Sequence, residues 1–179
     1  MLCVARLVEK KGVIYLCQAI GQLAQQRIPV ELEVVGDGPL QQELERFVAA
    51  QKLDQHIAIR GRRDKAYVQA ALSRADIFAL PSVTATDGDQ EGIPVSLMEA
   101  MASGVPCLST VHSGIPELID DGRSGWLVPE RDAAALADKL VRIQRGDFDL
   151  PAIAWCARAT VETHFNQSRL HDQLAAQLT

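Results

Sequence analysis

The chain has 179 residues, of which 47% are hydrophobic and 23% charged, and a formal net charge of −5. This is the composition of a globular domain of ordinary size. The negative charge disfavours a broad nucleic-acid surface, and no apolar run reaches the roughly 18 residues needed to cross a bilayer. The start of the chain lacks the pattern of a signal peptide. We therefore expect one cytoplasmic domain over residues 1–179.

The cysteines are widely separated and lie in apolar runs. No two of them form a C-x-x-C motif, so neither a zinc site nor a redox motif is expected. We predict buried, reduced thiols, as in cytosolic proteins. The residues are Cys3, Cys17, Cys107 and Cys156.

Short strand-like runs alternate with helical runs along the chain. The predicted strands are residues 2–5, 30–35, 56–59, 77–80, 105–109 and 126–128. The predicted helices are residues 13–23, 40–48, 66–73, 94–103, 116–119 and 133–145, with most of 152–178. This alternation predicts an α/β fold, in which helices cover a six-stranded parallel sheet through right-handed crossovers.

Parallel sheets of this kind bind ligands at the carboxyl ends of their strands, so the loops that follow the strands are the candidate sites. These loops are residues 6–12, 36–40, 61–65, 81–93 and 110–116. The sequence begins at the first predicted strand with no residues leading into it. We therefore expect it to be a piece of a larger protein.

The first loop, residues 6–12, carries two cations close to a helix start. Arg6 leaves the end of the strand, and Lys11 and Gly12 lie near the helix. Cations beside free backbone N–H groups attract anions, and the helix dipole adds to the attraction. A solvated basic turn is the alternative, but the position at the strand's end favours phosphate.

A second glycine-rich turn, Gly36-Asp37-Gly38-Pro39, also joins a strand to a helix. It begins like the dinucleotide fingerprint G-x-G-x-x-G, but Gln41 occupies the third glycine position, so an NAD site is weakly supported. We interpret this stretch as a tight turn whose backbone also comes close to a ligand.

The acidic stretch from Asp87 to Glu99 resembles a calcium loop only at its start. A bidentate glutamate is needed at the twelfth position, where this chain has Met98. Calcium is therefore rejected. Asp87-Gly88-Asp89 also matches the D-x-D pattern of some metal-dependent sugar transferases, but two aspartates at this spacing are common in exposed loops.

The predicted helix over residues 94–103 is apolar on nearly all sides, so it should be well buried. Pro94 suits its first turn. Glu91 precedes the helix and Glu99 lies within it, so the two carboxylates could contact different parts of one ligand. A carboxylate accepts two hydrogen bonds at once, which suits a vicinal diol. The alternative is a structural Glu99 and a solvated Glu91.

The stretch His112-Ser113-Gly114-Ile115-Pro116-Glu117 precedes the next short helix. Gly114 permits a close approach of the backbone. His112 is a possible site residue, but a single histidine in a loop is more often solvated.

Together, five features in this order resemble the C-terminal, donor-binding domain of a retaining family 4 GT-B glycosyltransferase. Within that family, the resemblance is strongest to the enzymes of bacterial exopolysaccharide synthesis, including the colanic-acid type. The features are Arg6 with Lys11, Gly36 to Pro39, Pro81-Ser82, Glu91-x7-Glu99 and His112 to Glu117. The resemblance implies a Rossmann-like three-layer αβα fold that is one half of a GT-B enzyme. It implies that the N-terminal acceptor domain is absent from this chain and that helices within 152–178 pack across that domain. Ala5 replaces the family's glycine before the arginine.

The resemblance also implies roles for individual residues. Arg6 and Lys11 would hold the diphosphate of a UDP- or GDP-sugar and stabilise charge on the leaving phosphate, which makes them catalytic together with Glu91. Glu91 would face the donor sugar and Glu99 the ribose. The remaining implied contacts come from the backbone, at Gly36, Gly38, Arg62, Gly92, Ile93, Pro94 and Val95. No cofactor and no metal are implied.

The function implied is transfer of a hexose, with retention, to a saccharide or lipid-linked acceptor, with possible peripheral membrane contact of the full-length protein. The isolated chain is expected to bind donor without turnover. Three alternatives stay open: a GT-B nucleotide-sugar epimerase, a dinucleotide-binding oxidoreductase module and a non-catalytic interaction domain that kept the fold.

Overall fold

The structure, a computed structural model, describes residues 1–165. The strands are β1 (Leu2–Val4), β2 (Leu32–Val35), β3 (Ile57–Ile59), β4 (Phe78–Leu80), β5 (Cys107–Thr110) and β6 (Trp126–Val128). The helices are α1 (Val13–Gln25), α2 (Gln41–Ala50), α3 (Lys65–Arg74), α4 (Val95–Ala102), α5 (Ile115–Leu118), α6 (Ala133–Gln144) and α7 (Leu150–His164), preceded by a 3₁₀ turn, η1 (Glu9–Lys11).

The six strands form one parallel sheet in the order β3-β2-β1-β4-β5-β6. The order reverses between β1 and β4, where Leu2 pairs with Phe78. A crevice opens outside the carboxyl ends of the strands at such a reversal, so this is where a ligand site is expected. The predicted Rossmann-like α/β fold with a six-stranded parallel sheet is confirmed.

The predicted strand boundaries lie within two residues of those observed. Sequence patterns did not predict η1, which is only three residues long. The helix predicted within 152–178 is confirmed up to His164 as part of α7. The rest of that prediction lies outside the described residues.

The core lies on both faces of the sheet. Its largest fully buried side chains include Leu16, Phe78, Leu97 and Trp126. Each comes from a different helix or strand, so the layers of helix and sheet share one apolar interior.

Three of the cysteines are buried as predicted. Burial raises the pKa of Cys3 and of Cys17 to about 12, so both thiols stay protonated at neutral pH. Cys107 is buried too, but Cys156, on α7, is only half-buried, so the prediction is wrong for Cys156.

Helix α4 is less buried than its composition predicted. Leu97, Ala100 and Met101 are buried, whereas Val95 is 63% exposed and Glu99 is exposed. The outward face of α4 is therefore free at the carboxyl edge of the sheet.

Helix α7 packs against α4 through its own buried face. Ile153 and Ala157 are buried, while Trp155 is 72% exposed on the other side. Within residues 1–165, no helix has both the length and the apolar character needed to cross a membrane.

Candidate functional site

The turn after β1 and the loop after β4 touch at the reversal of strand order. The Val83 N–H donates a hydrogen bond to the Lys10 carbonyl at 2.9 Å. Gly12, with φ of 62°, begins α1, and a Cβ there would lie 1.9 Å from the Pro81 oxygen. Only glycine allows both this conformation and this approach. The contact brings the two predicted site segments together.

Lys11 and Glu91 form the centre of this site. Nζ of Lys11 lies 2.6 Å from Oε2 of Glu91, and the two side chains are 14% and 18% exposed. Oε2 is buried and makes no hydrogen bond within residues 1–165, so the contact is an ion pair without hydrogen-bond geometry. Oε2 is therefore occupied by the Lys11 ammonium, and acceptor capacity for a ligand hydroxyl remains at the other oxygen of the carboxylate.

The loop that carries Glu91 is tied to η1 along its length. The N–H and the hydroxyl of Thr86 donate to Glu9 at 3.0 and 2.8 Å, and Nζ of Lys10 lies 3.0 Å from Asp89. The Asp87 carboxylate accepts from the Asp89 N–H at 2.9 Å. Asp87 and Asp89 therefore stabilise the loop. Among residues 1–165 there is no group of three acidic, histidine or cysteine side chains placed to hold a metal ion.

Of the two interpretations left open for His112, a site residue or a solvated loop residue, the solvated one is wrong. The side chain is 1% exposed. Its Nδ1 lies 2.6 Å from Oε1 of Glu130, and its Nε2 accepts the Glu91 N–H at 3.1 Å. The other oxygen of Glu130 accepts the Thr84 N–H at 2.8 Å. A buried imidazole and a carboxylate therefore hold both ends of the loop.

Sequence reasoning missed Glu130 and its neighbour Arg131. Arg131 donates to the Tyr15 hydroxyl at 2.7 Å and to the Thr84 carbonyl, and lies 3.6 Å from Glu9. Both residues directly follow β6 and so lie at the same sheet edge as the other site loops. Their position after a predicted strand could have marked them as candidate site residues from the sequence.

Burial alone would raise the pKa of the Glu130 carboxyl. Hydrogen bonds from Thr84 and His112, together with the charge of Arg131, outweigh burial and hold this pKa below its ordinary value. Glu130 is therefore ionised at neutral pH.

The segment from Gly92 to Val95 leads from Glu91 into α4. Gly92 is exposed, and a Cβ there would meet nothing within 4 Å. Ile93 packs so closely on Gly114 that a Cβ at Gly114 would lie 2.9 Å from it. Pro94 is the N-cap of α4 and gives the first turn no side-chain hydrogen bond. The positive end of α4 is thus open beside the Lys11–Glu91 pair.

The Gly36–Pro39 turn holds the backbone around Arg6. The Leu7 N–H donates to the Asp37 carbonyl at 2.8 Å. A Cβ at Gly36 would lie 1.8 Å from the Ala5 oxygen, and one at Gly38 2.4 Å from the Leu7 oxygen. The close packing of this turn on the Ala5 and Leu7 backbone therefore requires glycine at both positions, whether or not a ligand binds there. Arg6 itself is exposed.

Two predicted site residues lie apart from this centre. Arg62 is exposed in the turn after β3, at the far side of the sheet. Glu99 is exposed on α4, and within residues 1–165 its carboxylate makes no ion pair or hydrogen bond. The structure brings Lys11, Glu91 and the start of α4 together, and leaves Arg62 and Glu99 on the surrounding surface.

Two cavities lie outside the Lys11–Glu91 centre. A cavity of about 310 Å³ opens beside η1, α1 and α2, where Leu7, Tyr15 and Glu43 line it. A larger one of about 1120 Å³ lies at the amino ends of the strands, around Met1 and Glu31. The smaller cavity lies at the carboxyl edge of the sheet, beside the turns after β1 and β2, but neither cavity is lined by Lys11 or Glu91.

Comparison with known proteins defines the class of this chain. Residues 1–145 match the family of glycosyl transferases group 1. The chain belongs to this family. The oxidoreductase and epimerase alternatives gain no support from the comparisons.

Two relatives of this chain are glycosyltransferases of polysaccharide biosynthesis. The chain is 48% identical over 179 residues to WcaL of Salmonella typhimurium, assigned to colanic acid biosynthesis as a glycosyltransferase, covering 99% of this chain and 44% of WcaL. It is 47% identical over 175 residues to the amylovoran biosynthesis glycosyltransferase AmsK of Erwinia amylovora, covering 98% of this chain and 43% of AmsK. The chain thus spans less than half the length of these two relatives.

A solved structure has the same fold. The Anabaena protein Alr3699/HepE, crystallised in complex with UDP, superposes with a TM-score of 0.85 at 25% identity, covering 99% of this chain and 48% of HepE. The chain therefore spans about half the length of HepE and shares the fold of this part of it.

Proposed function

We propose that this chain is the donor-binding domain of a retaining hexosyltransferase that uses a nucleotide-diphosphate sugar in bacterial exopolysaccharide synthesis. The observation that carries the proposal is the Lys11–Glu91 pair, 2.6 Å apart, beside the uncapped start of α4 at the reversal of strand order. Family membership, the two exopolysaccharide relatives and the UDP complex of HepE support it.

The diphosphate is proposed to lie between Arg6, Lys11 and the first turn of α4. Within residues 1–165, Arg6 forms no ion pair, so its guanidinium is available for bidentate phosphate binding. Charge grows on the leaving phosphate as the sugar bond breaks. Fixed cations and a helix N-terminus stabilise that charge most where water is excluded.

The sugar is proposed to contact Glu91, through the carboxylate oxygen that does not face Lys11, and the open backbone at Gly92. The ribose would bind the exposed carboxylate of Glu99, and the base would approach the turn at Arg62. No metal is needed for this arrangement, because Arg6 and Lys11 supply the positive charge.

The acceptor is proposed to bind a second domain in the part of the protein that corresponds to the remaining length of WcaL and AmsK. Helix α7 would pack across that domain, with acceptor transfer at the cytoplasmic face of the membrane. The isolated chain should therefore bind donor without turnover.

Calorimetric titration of the chain with UDP, GDP and the free nucleosides tests donor binding. We expect one diphosphate to bind, and Arg6→Ala to weaken it roughly tenfold through loss of a charged hydrogen bond, with little effect on nucleoside binding. Arg123→Ala is the matched control, because Arg123 is exposed at the opposite edge of the sheet. No heat with either diphosphate at millimolar concentration would contradict the proposal.

A further inference from the structure

The buried pair His112–Glu130 has no part in the proposed donor contacts. The imidazole is 1% exposed and lies between two groups: Oε1 of Glu130 at 2.6 Å and the Glu91 N–H at 3.1 Å. A buried ring with both nitrogens engaged has one fixed orientation.

The partners also fix the position of the ring proton. The Glu91 N–H donates to Nε2, so Nε2 carries a lone pair and the proton lies on Nδ1. Nδ1–H then donates to Glu130. The ring is therefore the neutral Nδ1–H tautomer, and a charged imidazolium would lose the bond to Glu91.

Glu130 also fixes the start of the loop that carries Glu91. Its second oxygen accepts the Thr84 N–H at 2.8 Å, and Arg131 donates to the carbonyl of that residue. Between Thr84 and Glu91 the residues 86–90 are exposed. The part-buried hydrogen bonds at the two ends, together with the Thr86–Glu9 and Lys10–Asp89 contacts to η1, therefore set where Glu91 stands relative to Lys11.

We propose that His112, backed by Glu130, is a positioning residue that fixes the Glu91 backbone so that its carboxylate meets the donor sugar beside Lys11. This inference rests on the proposed donor-binding function. His112 itself touches no substrate, and acts through the Glu91 N–H.

Two substitutions at His112 separate positioning from burial. The amide of His112→Asn reaches about as far as Nδ1, so it can keep the bond to Glu130 but not the bond to Glu91. The amide of His112→Gln reaches about as far as Nε2, and its oxygen can accept the Glu91 N–H. The control pair is His56→Asn and His56→Gln, because His56 is half-buried and bonds the Val30 carbonyl at the other edge of the sheet.

The measurement is the affinity for UDP-glucose relative to UDP, and for GDP-mannose relative to GDP, by calorimetry. We take whichever of the two nucleotides the wild-type chain binds, with and without its sugar. For that nucleotide, we expect His112→Asn to lower the ratio of nucleotide-sugar affinity to free-nucleotide affinity about three- to tenfold, as for a lost hydrogen bond. His112→Gln should retain most of the ratio, and the His56 variants should leave it unchanged. Equal losses in the two His112 variants, or no loss in either, would overturn the positioning role.

Ring nitrogen NMR of the wild-type chain gives an independent readout that needs no variant to fold. Long-range proton–nitrogen spectra should show the Nδ1–H tautomer for His112, and the Glu91 amide should be protected from hydrogen exchange. An Nε2–H tautomer or a rapidly exchanging Glu91 amide would overturn the positioning role alone. If the wild-type chain binds neither the diphosphates nor their sugars, the proposed function fails, and the positioning role fails with it.

Discussion

Gly12 shows how one residue controls the approach of two site segments. Its φ of 62° places it in the left-handed region, and a Cβ would lie 1.9 Å from the Pro81 oxygen. Gly61 has nearly the same φ, 65°, but nothing within 4 Å of the position of a Cβ. The two glycines therefore separate backbone strain from steric contact.

Gly61→Ala should lower the free energy of unfolding by about 1 kcal/mol, the ordinary cost of a left-handed alanine. Gly12→Ala should cost at least about 3 kcal/mol, because the backbone at Pro81 must also move. Urea unfolding followed by circular dichroism measures both. Equal costs would show that the contact between the two loops is not tight.

The residues of the site were predictable to different degrees. Arg6, Lys11 and Glu91 stood out because charged groups follow strand ends in an α/β pattern. His112 did not, since a histidine in a polar loop has no sequence mark of burial. Its burial depends on Glu130, which follows another strand, and such a long-range pairing is set by the sheet and not by local sequence.

At the scale of elements, strand β2 and helix α3 are joined by a charged cluster. Glu33 accepts from the Tyr67 hydroxyl at 2.5 Å and from Arg74 at 2.8 Å. Burial opposes ionisation of Glu33, but these hydrogen bonds and the charges of Arg74 and Arg60 outweigh it and hold its pKa below the ordinary value. The cluster therefore favours the folded state when Glu33 is ionised.

The stability contributed by Glu33 should depend on pH in one direction. A folded-state pKa below the unfolded value means that the unfolded chain binds more protons in acid, so this contribution is complete above about pH 4.3 and is lost as the pH falls through the folded pKa. At pH 7, Glu33→Gln should cost about 1 kcal/mol, and the cost should shrink in acid. Thermal or urea unfolding between pH 3 and 7, with the exposed Glu31→Gln as control, checks this. A cost independent of pH would contradict it.

Most helices and strands were predictable because apolar periodicity marks them directly. The turn η1 was not, because three residues contain less than one period of such a pattern. Tertiary bonds hold η1 instead, from the Val83 N–H to the Lys10 carbonyl and from Thr86 to Glu9.

For the whole molecule, the strand order β3-β2-β1-β4-β5-β6 places the site. Alternating strands and helices predicted a parallel sheet, but the alternation does not specify which strands are neighbours. The order brings β1 beside β4 and β4 beside β5. The loops that carry Lys11, Glu91 and His112 therefore meet at one edge although they are far apart in sequence.

A nucleotide diphosphate is proposed to bind at this edge, between the turn after β1 and the start of α4. Amide chemical-shift mapping of the chain during titration with UDP and GDP tests it most directly. We expect the largest shifts at Arg6, Lys11 and residues 91–95. Shifts gathered around Met1 and Glu31 at the opposite edge, or no shifts with either diphosphate at millimolar concentration, would contradict it.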